Sequence, residues 1–353
     1  MSQPAIGRLL SIATHIRVLH SQGLQEAGPP HQAEALLAFR QFRFNWLLIA
    51  AALVVFDVCL LLTDFRVRPL GYLLVLAIAC VYGVCGHCSA LTFQDRPRVF
   101  SMLTTFAQNI LGLSILTSLT YIATAVDLPL QDSRLLAIDR ALGFDFRVFL
   151  NFVNDRGWLV HVLAFGYRAI SWQIWLTIFG LPLVGYYRRS AEYISAVLLA
   201  LALTSCITLI VPAIGVYHAL ELVASEFPNI EPQGYYDTLH EMPLLRAGTL
   251  RTLDLDHFVG VVTFPSFHAA AAVLYSWALW PLRWVRPLTL AVNGAMLAAT
   301  PIGGGHYLVD VLTGVMVAIA SISAARLVVR LLDMPAHRCL SDGVTCQAVA
   351  DMG

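Results

Sequence analysis

The chain has 353 residues, of which 58% are hydrophobic and only 12% are charged, and its mean hydropathy is +0.72. A soluble domain of this size cannot bury so much apolar side-chain surface, so the composition predicts an integral membrane protein. The formal net charge is zero, and the 22 lysine and arginine positions are all arginine. Proteins that bind nucleic acid through phosphate contacts need an excess of positive charge, so the neutral balance excludes that class of partner.

Eight apolar runs follow one another along the chain, each close to the ~20 residues that a helix needs to cross a bilayer. They predict an all-α polytopic membrane protein with about eight transmembrane helices. The predicted spans are residues 44–63, 70–93, 99–126, 158–187, 191–213, 265–281, 287–302 and 306–329. The fourth run is longer than one membrane thickness, so its beginning is expected to lie along the interface.

Polar segments divide the chain into four regions. These are an N-terminal segment (1–43) with a short amphipathic helix, two additional transmembrane helices (44–98), a six-helix catalytic core (99–330) and a C-terminal tail (331–353). Two loops interrupt the core, at 127–156, with an amphipathic piece around 138–153, and at 215–263, which is acidic. The sequence thus predicts one domain with two helices added before its core.

Arginines predict the orientation in the membrane, because cytoplasmic loops are enriched in basic residues. With eight spans, one side carries the N-terminal arginines and four further pairs: Arg96 and Arg98, Arg188 and Arg189, Arg283 and Arg286, and Arg326 and Arg330. Arg66 and Arg68 fall on the other side, with the acidic loop, against this trend. The majority predicts cytoplasmic termini and an active site that faces the periplasm of a bacterial inner membrane, or the lumen in a eukaryote.

The cysteines give no prediction of a redox site or a cofactor. Cys85-Gly86-His87-Cys88 has the spacing of a redox motif, but it lies in an apolar run without a βαβ context. We therefore interpret these cysteines as small apolar residues between helices. Cys339 and Cys346 lie in the predicted tail, and the sequence leaves open whether they pair or stay free.

Two stretches place polar side chains at the starts of predicted spans: Phe264-Pro265-Ser266-Phe267-His268 and Gly303-Gly304-Gly305-His306-Tyr307-Leu308-Val309-Asp310. His306 and Asp310 are four residues apart, so on a helix they share one face. A carboxylate beside an imidazole holds its tautomer and makes it a better nucleophile. His268 supplies a second imidazole. These residues predict metal-free phosphoryl transfer through a phosphohistidine, in which backbone N–H groups at helix N-termini hold the phosphate.

The two stretches resemble the second and third signature motifs of the type 2 phosphatidic acid phosphatase (PAP2) superfamily, Pro-Ser-x-His and His-x-x-x-Asp. The resemblance covers about residues 99–330 in order, spacing and helical context. Within the superfamily the stretches are most similar to the inositol phosphorylceramide synthases and their bacterial membrane relatives. The resemblance implies that His306 is the nucleophile, Asp310 orients it, His268 is the general acid and Ser266 binds phosphate.

Each of these residues also has a purely structural interpretation. The histidine–aspartate pair is compatible with a hydrogen bond that only joins two helices. His268 and Ser266 are compatible with the cap of a helix near the interface. Gly303-Gly304-Gly305 is compatible with a tight turn. We favour a phosphate-binding role for the bare backbone of Gly304 and Gly305, because the predicted nucleophile follows directly.

The sequence departs from the broad superfamily where phosphate-neutralising cations are expected. The first motif begins with lysine, and this chain contains none. The third opens with Ser-Arg, where this chain has Ala299 and Thr300. Arg246 and Arg251 are the best replacements, since arginine binds phosphate in bidentate geometry, and ion pairs within the acidic loop are an equally good interpretation. The same departures are expected of the inositol phosphorylceramide synthase branch, which favours a phosphotransferase.

Other polar residues give weaker predictions. Tyr217 and His218, at the outer end of the fifth span, are placed at the mouth of the substrate site. Asp139-Arg140 and Gly143 resemble a short motif of the same branch, and a surface loop explains them nearly as well. The histidines of the acidic loop lack zinc-like spacing, so no metal site is predicted.

The predicted enzyme transfers a phosphoryl or phospho-headgroup group from a lipid donor to an alcohol, as the inositol phosphorylceramide synthases do, or to water. A plain lipid phosphate phosphatase, acting on phosphatidic acid or an isoprenyl diphosphate, is the first alternative. A non-catalytic lipid transporter with the same fold is the second. The expected partners are a lipid phosphate or phospholipid, an alcohol acceptor and the membrane, whereas the sequence does not indicate an oligomeric state.

Overall fold

The computed structural model describes residues 29–92 and 97–341. Within these ranges most residues are helical, so the predicted all-α fold is confirmed. The α-helices are α1 (Pro29–Leu62), α2 (Pro69–Thr92), α3 (Pro97–Thr124), α4 (Asp132–Ala141), α5 (Phe146–Asn154), α6 (Gly157–Val184), α7 (Tyr187–Ile210), α8 (Val216–Ala219), α9 (Gln233–Arg246), α10 (Phe267–Leu279), α11 (Arg286–Gly304) and α12 (Leu308–Ser341). Two short strands, β1 (Arg66–Val67) and β2 (Thr252–Leu253), pair in parallel.

Five helices are long and apolar enough to cross a bilayer, which agrees with an integral membrane protein. The five segments are Leu37–Leu62, Pro69–Cys88, Pro97–Thr124, Tyr187–Ile210 and Leu308–Leu331. The other three predicted spans are also helical and correspond to α6, α10 and α11. Helix α10 has only 13 residues, and α6 carries polar side chains such as Arg168 and Gln173. The count of eight spans therefore stays a prediction.

Helix α7 lies at the centre of the bundle, with α1, α3, α10 and α12 packed around it. Its buried positions are mostly small residues, which allow neighbouring backbones to approach closely. Another close approach joins α6 to α11, where a Cβ on Gly166 would lie only 2.8 Å from the Ala295 backbone. A larger residue at position 166 would therefore push the two helices apart.

Helix α1, one of the two helices added before the core, is part of the same buried bundle. The buried amide of Asn45 donates to Gln108 Oε1 of α3 at 3.2 Å and to the Ala191 carbonyl of α7 at 3.0 Å. Gln108 in turn donates to the Phe42 carbonyl at 2.7 Å. Hydrogen bonds between helices satisfy polar groups that lipid cannot, so this network fixes α1 against the core.

Several predicted boundaries differ from the structure. The helix of the first span begins at Pro29 rather than near residue 44, and α12 continues to Ser341, into the predicted tail. The single amphipathic piece at 138–153 is two helices, because Gly143 adopts a left-handed φ of 78° and Asp145 caps the start of α5. The predicted N-terminal amphipathic helix and the pairing of the tail cysteines lie outside the described residues and side chains.

The two arginines that oppose the positive-inside trend lie in the loop between α1 and α2. This loop contains β1, whose residues Arg66 and Val67 pair with Thr252 and Leu253 of the acidic loop. The guanidinium of Arg68 forms an ion pair with Asp254 at 2.5 Å. The position of Arg68 thus follows from its acidic partner, and that of Arg66 from the pairing of β1 with β2.

Candidate active site

The two polar stretches of the sequence meet at one end of the bundle. The N–H of Ser266, at the start of α10, donates to the Asp310 carbonyl in the first turn of α12 at 3.1 Å. The helices approach so closely here that a Cβ on Gly314 would lie 2.2 Å from the Ser266 carbonyl oxygen. Glycine at position 314 therefore allows the histidine of each stretch to reach a common site.

His306 is held by two acceptors on one side of its ring. Its Nδ1 lies 2.7 Å from the Thr263 carbonyl oxygen and 3.4 Å from Asp310 Oδ2, and the side chain is buried. A carbonyl oxygen only accepts hydrogen bonds, so Nδ1 must carry the proton that it donates. In the neutral ring Nε2 then carries a free lone pair, which is the form that a nucleophilic histidine requires.

Asp310 connects this histidine to the start of α12. Its Oδ2 also accepts from the Tyr307 N–H at 2.9 Å, while Oδ1 is buried without a hydrogen-bond partner among the described residues. The carboxylate therefore both caps the helix and places negative charge beside the imidazole. Negative charge at this distance stabilises positive charge on the ring, which would arise when Nε2 forms a bond to phosphorus.

The glycine run that precedes His306 is only partly the predicted turn. Gly303 and Gly304 are the last residues of α11, and the left-handed turn is made by Gly305, whose φ is 68°. The imidazole lies against Gly304, where a Cβ would be 2.5 Å from the ring carbon Cδ2. Position 304 must therefore lack a side chain for the histidine to adopt this orientation.

His268 is positioned by an aromatic neighbour rather than by a hydrogen bond. Its ring stacks on Tyr167 of α6, with centroids 4.2 Å apart and planes 9° from parallel. The tyrosine ring also covers Gly303, where a Cβ would lie 2.7 Å from it. Among the described residues His268 has no hydrogen-bond partner, so its ring nitrogens are available to a ligand.

A cavity of about 570 Å³ contains both histidines. Its lining also includes the cation Arg168 and the carboxylates Glu231 and Asp237. This volume is typical of sites for small molecules, and a few polar groups converge on it. The arrangement is suited to a reaction in which the imidazoles of His268 and His306 act on a polar, charged group of a ligand.

A second cavity, of about 490 Å³, adjoins the first and lies between the helices of the bundle. The two share five lining residues, namely Ile170, Ser171, Gly260, Val262 and His268. The remaining lining comes mainly from apolar side chains of α3, α6, α7 and α10 and from the segment before α10. An apolar space is therefore continuous with the site that holds the histidines.

The model of one protein family, described as the PAP2 superfamily, matches residues 133–324, which is more than half of the chain. The chain belongs to the PAP2 superfamily. No curated protein and no solved structure matches the chain. Membership supports a function of the lipid phosphatase or phosphotransferase kind, with lipid phosphates as substrates. The resemblance inferred from the two motifs is thus confirmed at the level of the superfamily, whereas the inositol phosphorylceramide synthase branch stays a prediction.

The two arginines that were predicted to bind phosphate lie outside the cavity that contains the two histidines. Arg246 pairs with Asp127 at 2.7 Å, and Arg251 pairs with Asp64 at 2.8 Å. These are the ion pairs that the alternative interpretation expected, although with other aspartates than those of the acidic loop. Neither arginine lines the cavity that contains the histidines.

Two other predicted phosphate-binding residues lie beside the cavity rather than in its lining. Ser266 is fully buried, and its hydroxyl accepts from the Ala269 N–H at 3.4 Å, as an N-cap does. Gly305 contacts Tyr235 and the loop before α8. Of the predicted substrate-binding group, only Gly304 lines the cavity.

Arg168 is a site residue that the sequence analysis missed. It lies eleven residues after the start of α6, inside the fourth predicted span, and forms no ion pair or hydrogen bond with a described residue. A charged residue inside a membrane helix is costly and usually functional. The position of this charge inside the fourth predicted span is a signal that points to Arg168. The predicted phosphate-binding arginines, Arg246 and Arg251, lie instead in the loop before the second motif.

Two aspartates of α4 hold the backbone around His306. Asp139 accepts from the N–H groups of Leu308 and Val309 at 2.7 and 2.9 Å, at the exposed donors that begin α12. Burial raises the pKa of the Asp139 carboxyl above its usual value, and these two hydrogen bonds offset only part of that rise. Asp139 was noted in the sequence as part of a polar motif, and the structure shows that it is a buried helix cap rather than a surface-loop residue.

Asp132 was not singled out in the sequence. Its carboxylate accepts from the Tyr307 hydroxyl at 2.9 Å and from the Gly215 N–H at 2.8 Å. It therefore ties Tyr307, the residue after His306, to the loop that follows α7. No pattern in the sequence marks this role, because the partners are 82 or more positions away.

The remaining predicted residues lie away from the cavity lining. Tyr217 is buried, and its hydroxyl donates to the Ile302 carbonyl at 3.0 Å, while His218 is exposed. Tyr217 thus packs under the site instead of at its mouth. Within the described part of the chain no three histidine, cysteine or acidic side chains converge. The predicted lack of a metal site stays a prediction.

Proposed function

We propose that this PAP2 protein transfers a phosphoryl or phospho-headgroup group from a lipid donor to an alcohol or water, through a phosphohistidine at His306. The observation that carries the proposal is the hydrogen bond from Nδ1 to the Thr263 carbonyl, 2.7 Å long. It fixes the tautomer in which Nε2 is unprotonated, beside a second histidine in the same cavity.

In the first step the Nε2 lone pair forms a bond to phosphorus, and the bond from phosphorus to the leaving oxygen breaks. His268, protonated on a ring nitrogen, gives its proton to that oxygen. In the second step an acceptor hydroxyl gives its proton to the now neutral His268 and its oxygen attacks phosphorus. The phosphorus–nitrogen bond breaks, which restores His306.

The charge on the transferred group requires a cation, and Arg168 is the one that lines the cavity. Its guanidinium is not engaged by any described carboxylate, so its donors are available for a phosphate oxygen. Arginine provides two parallel N–H donors to such an anion. We therefore assign phosphate binding to Arg168, in place of the two arginines that form ion pairs elsewhere.

Two carboxylates in the cavity favour an acceptor molecule that carries hydroxyl groups. Glu231 and Asp237 line the same cavity, and Asp237 Oδ1 accepts from the Gln233 side chain at 3.2 Å. Carboxylates repel phosphate and accept hydrogen bonds from hydroxyl groups. This supports phosphotransfer to a hydroxylated molecule, with hydrolysis as the reaction when water takes its place.

The apolar cavity supports a lipid as the donor. It is continuous with the histidine site and has room for a hydrocarbon chain between α3, α7 and α10. Burial of each methylene group contributes about 0.8 kcal/mol. A chain held there would position its polar end at the histidines.

The test uses purified protein in liposomes that contain EDTA, with labelled phosphatidic acid, phosphatidylglycerol phosphate or phosphatidylinositol as donors. Inositol or ceramide is added or omitted as the acceptor. We expect a new phosphorus-containing product that appears only with an acceptor. Release of free phosphate alone would establish the phosphatase alternative, and lipid movement between leaflets without any product would establish the transporter. Turnover that EDTA abolishes would contradict the metal-free mechanism.

Replacement of Arg168 by glutamine should reduce kcat/KM by about 10- to 100-fold, because a hydrogen bond to a charged group contributes roughly 1.5–3 kcal/mol. Lysine should restore part of the loss, since it keeps the charge but not the planar fork. The measurement is the initial rate against donor concentration. Arg134→Gln, an exposed arginine of α4 outside the cavity lining, is the matched control and should leave the rate unchanged. Equal rates for both glutamine variants would contradict the assignment.

Replacement of Ala271 by phenylalanine should fill part of the apolar cavity, because Ala271 lines that cavity and not the histidine cavity. We expect KM for a long-chain donor to rise about tenfold, as about two methylene groups lose their burial. KM for a short-chain, water-soluble donor should stay the same, and Ala137→Phe on the exposed surface of α4 should change neither. An equal rise for both donors would show a general distortion instead.

A further inference from the structure

A third cavity, strongly basic, lies at the end of the bundle opposite the histidines. Its volume is about 390 Å³. Its charged lining consists of four arginines and one acid, namely Arg188, Arg189, Arg326, Arg330 and Glu192. They come from the beginning of α7 and the second half of α12.

This cavity is separate from the candidate active site. Helix α12 carries Asp310 in its first turn and Arg326 sixteen residues later. At 1.5 Å per residue the two positions are about 24 Å apart along the helix. A ligand in the basic cavity therefore cannot reach the two histidines.

The positive charge of the cavity is not balanced by the described residues. Glu192 accepts from Arg188 Nε at 2.9 Å and lies 3.9 Å from Arg189 Nη1. Arg326 and Arg330 form no ion pair with any carboxylate whose side chain the structure describes. One glutamate is thus the only described counter-ion for four arginines, and the cavity attracts anions.

Two buried donors beside the cavity also lack an acceptor. Arg189 Nη1 and Trp277 Nε1 are buried and have no hydrogen-bond partner in the described part of the chain. The two groups are adjacent, because the Arg189 guanidinium lies 4.4 Å from the Trp277 ring centroid, with Arg326 at 5.4 Å from the same ring. Buried donors are normally satisfied, so their presence here indicates a ligand that accepts hydrogen bonds.

The surroundings place this anion site at the level of lipid headgroups. Trp280 and Trp284, at the same end of the bundle, are 47% and 98% exposed. The lipid-facing surface of α12 next to the arginines is apolar, with Leu327 54% exposed. Exposed tryptophans are typical of the membrane–water interface, and basic pockets between membrane helices bind anionic headgroups.

We propose that this cavity binds the phosphate group of an anionic phospholipid in the leaflet opposite the active site. The arginines supply paired donors to the phosphate oxygens, and the acyl chains lie along the apolar surface of α12. Inorganic phosphate offers the same chemistry without the chains. The site is independent of the reaction at the histidines, so binding does not require turnover.

The test is native mass spectrometry of the purified protein with phosphatidylglycerol, phosphatidylcholine or inorganic phosphate. We expect retained phosphatidylglycerol, and about tenfold weaker retention by Arg326→Gln, because one charged hydrogen bond is lost. Arg326→Lys should restore part of it. Arg283→Gln is the matched control, since Arg283 is exposed in the loop between α10 and α11 and does not line the cavity.

Each outcome decides the proposal. Selective retention of the anionic lipid that depends on Arg326 supports a lipid site, and displacement of that lipid by millimolar inorganic phosphate supports the shared phosphate chemistry. Equal retention of phosphatidylcholine, or equal binding by Arg326→Gln and Arg283→Gln, would overturn it. Should Arg326→Gln not fold, the comparison of the two lipids on the wild-type protein and on Arg326→Lys gives the same decision.

Discussion

Replacement of His306 by alanine should lower turnover by at least about 10³-fold, because the variant has no nitrogen with which to form a bond to phosphorus. The backbone around the site should not change, since the hydrogen bonds that position it are made by Asp132, Asp139 and Asp310 to main-chain N–H groups. The measurement is product formation in liposomes together with thermal unfolding in detergent. A labelled donor should give acid-labile, protein-bound phosphate in the wild type and none in the variant.

The matched control is His218→Ala. His218 is exposed in the short helix α8 and does not line the cavity. Its replacement should leave both turnover and the labelled intermediate unchanged. Turnover by His306→Ala above about a tenth of the wild-type rate would contradict the role of nucleophile, and labelled protein in that variant would assign the intermediate to a different residue.

Replacement of Asp139 by alanine should lower the free energy of unfolding by about 2–4 kcal/mol, because two N–H donors at the start of α12 lose a buried charged acceptor. Turnover should fall as well, since His306 lies directly before this helix. Asparagine keeps one acceptor oxygen, so Asp139→Asn should lose about half as much. Thermal or denaturant unfolding in detergent measures the first effect and the initial rate measures the second.

Asp155→Ala is the control for Asp139→Ala. Asp155 is exposed after α5, and its side chain has no hydrogen-bond partner in the described part of the chain, so its replacement should change the unfolding free energy by less than about 0.5 kcal/mol. The role assigned to Asp139 requires a loss of stability together with a loss of rate. A stable Asp139→Ala protein with wild-type turnover would show that the cap is unnecessary.

The sequence alone predicted the class of fold and the pair of motifs, for a physical reason in each case. Apolar runs of about twenty residues specify membrane helices without reference to the rest of the chain. His306 and Asp310 were predicted to meet because they are four residues apart, and the structure places their side chains 3.4 Å apart, although His306 precedes α12 and only Asp310 lies in it. Order and spacing of the motifs also sufficed to recognise the PAP2 superfamily, which the match over residues 133–324 confirmed.

The cations could not be assigned from the sequence, because electrostatic partners are chosen across long distances along the chain. Arg246 and Arg251 precede the second motif closely, yet their partners are Asp127 and Asp64, 119 and 187 residues away. Arg168 is far from both motifs in sequence, but the packing of α6 places it in their cavity. Proximity in sequence therefore did not indicate which arginine lines the cavity.

Local chemistry thus determined that this is a helical membrane protein with a histidine–aspartate pair and a second histidine. Only the tertiary structure decided how those groups are held. It showed that the Thr263 carbonyl fixes the tautomer of His306, that Asp139 caps the helix after it, and that the stacked ring of Tyr167 positions His268. The two hydrogen bonds join residues that are 43 and 169 positions apart, and the stacked rings belong to different helices. No local pattern in the sequence therefore encodes these contacts.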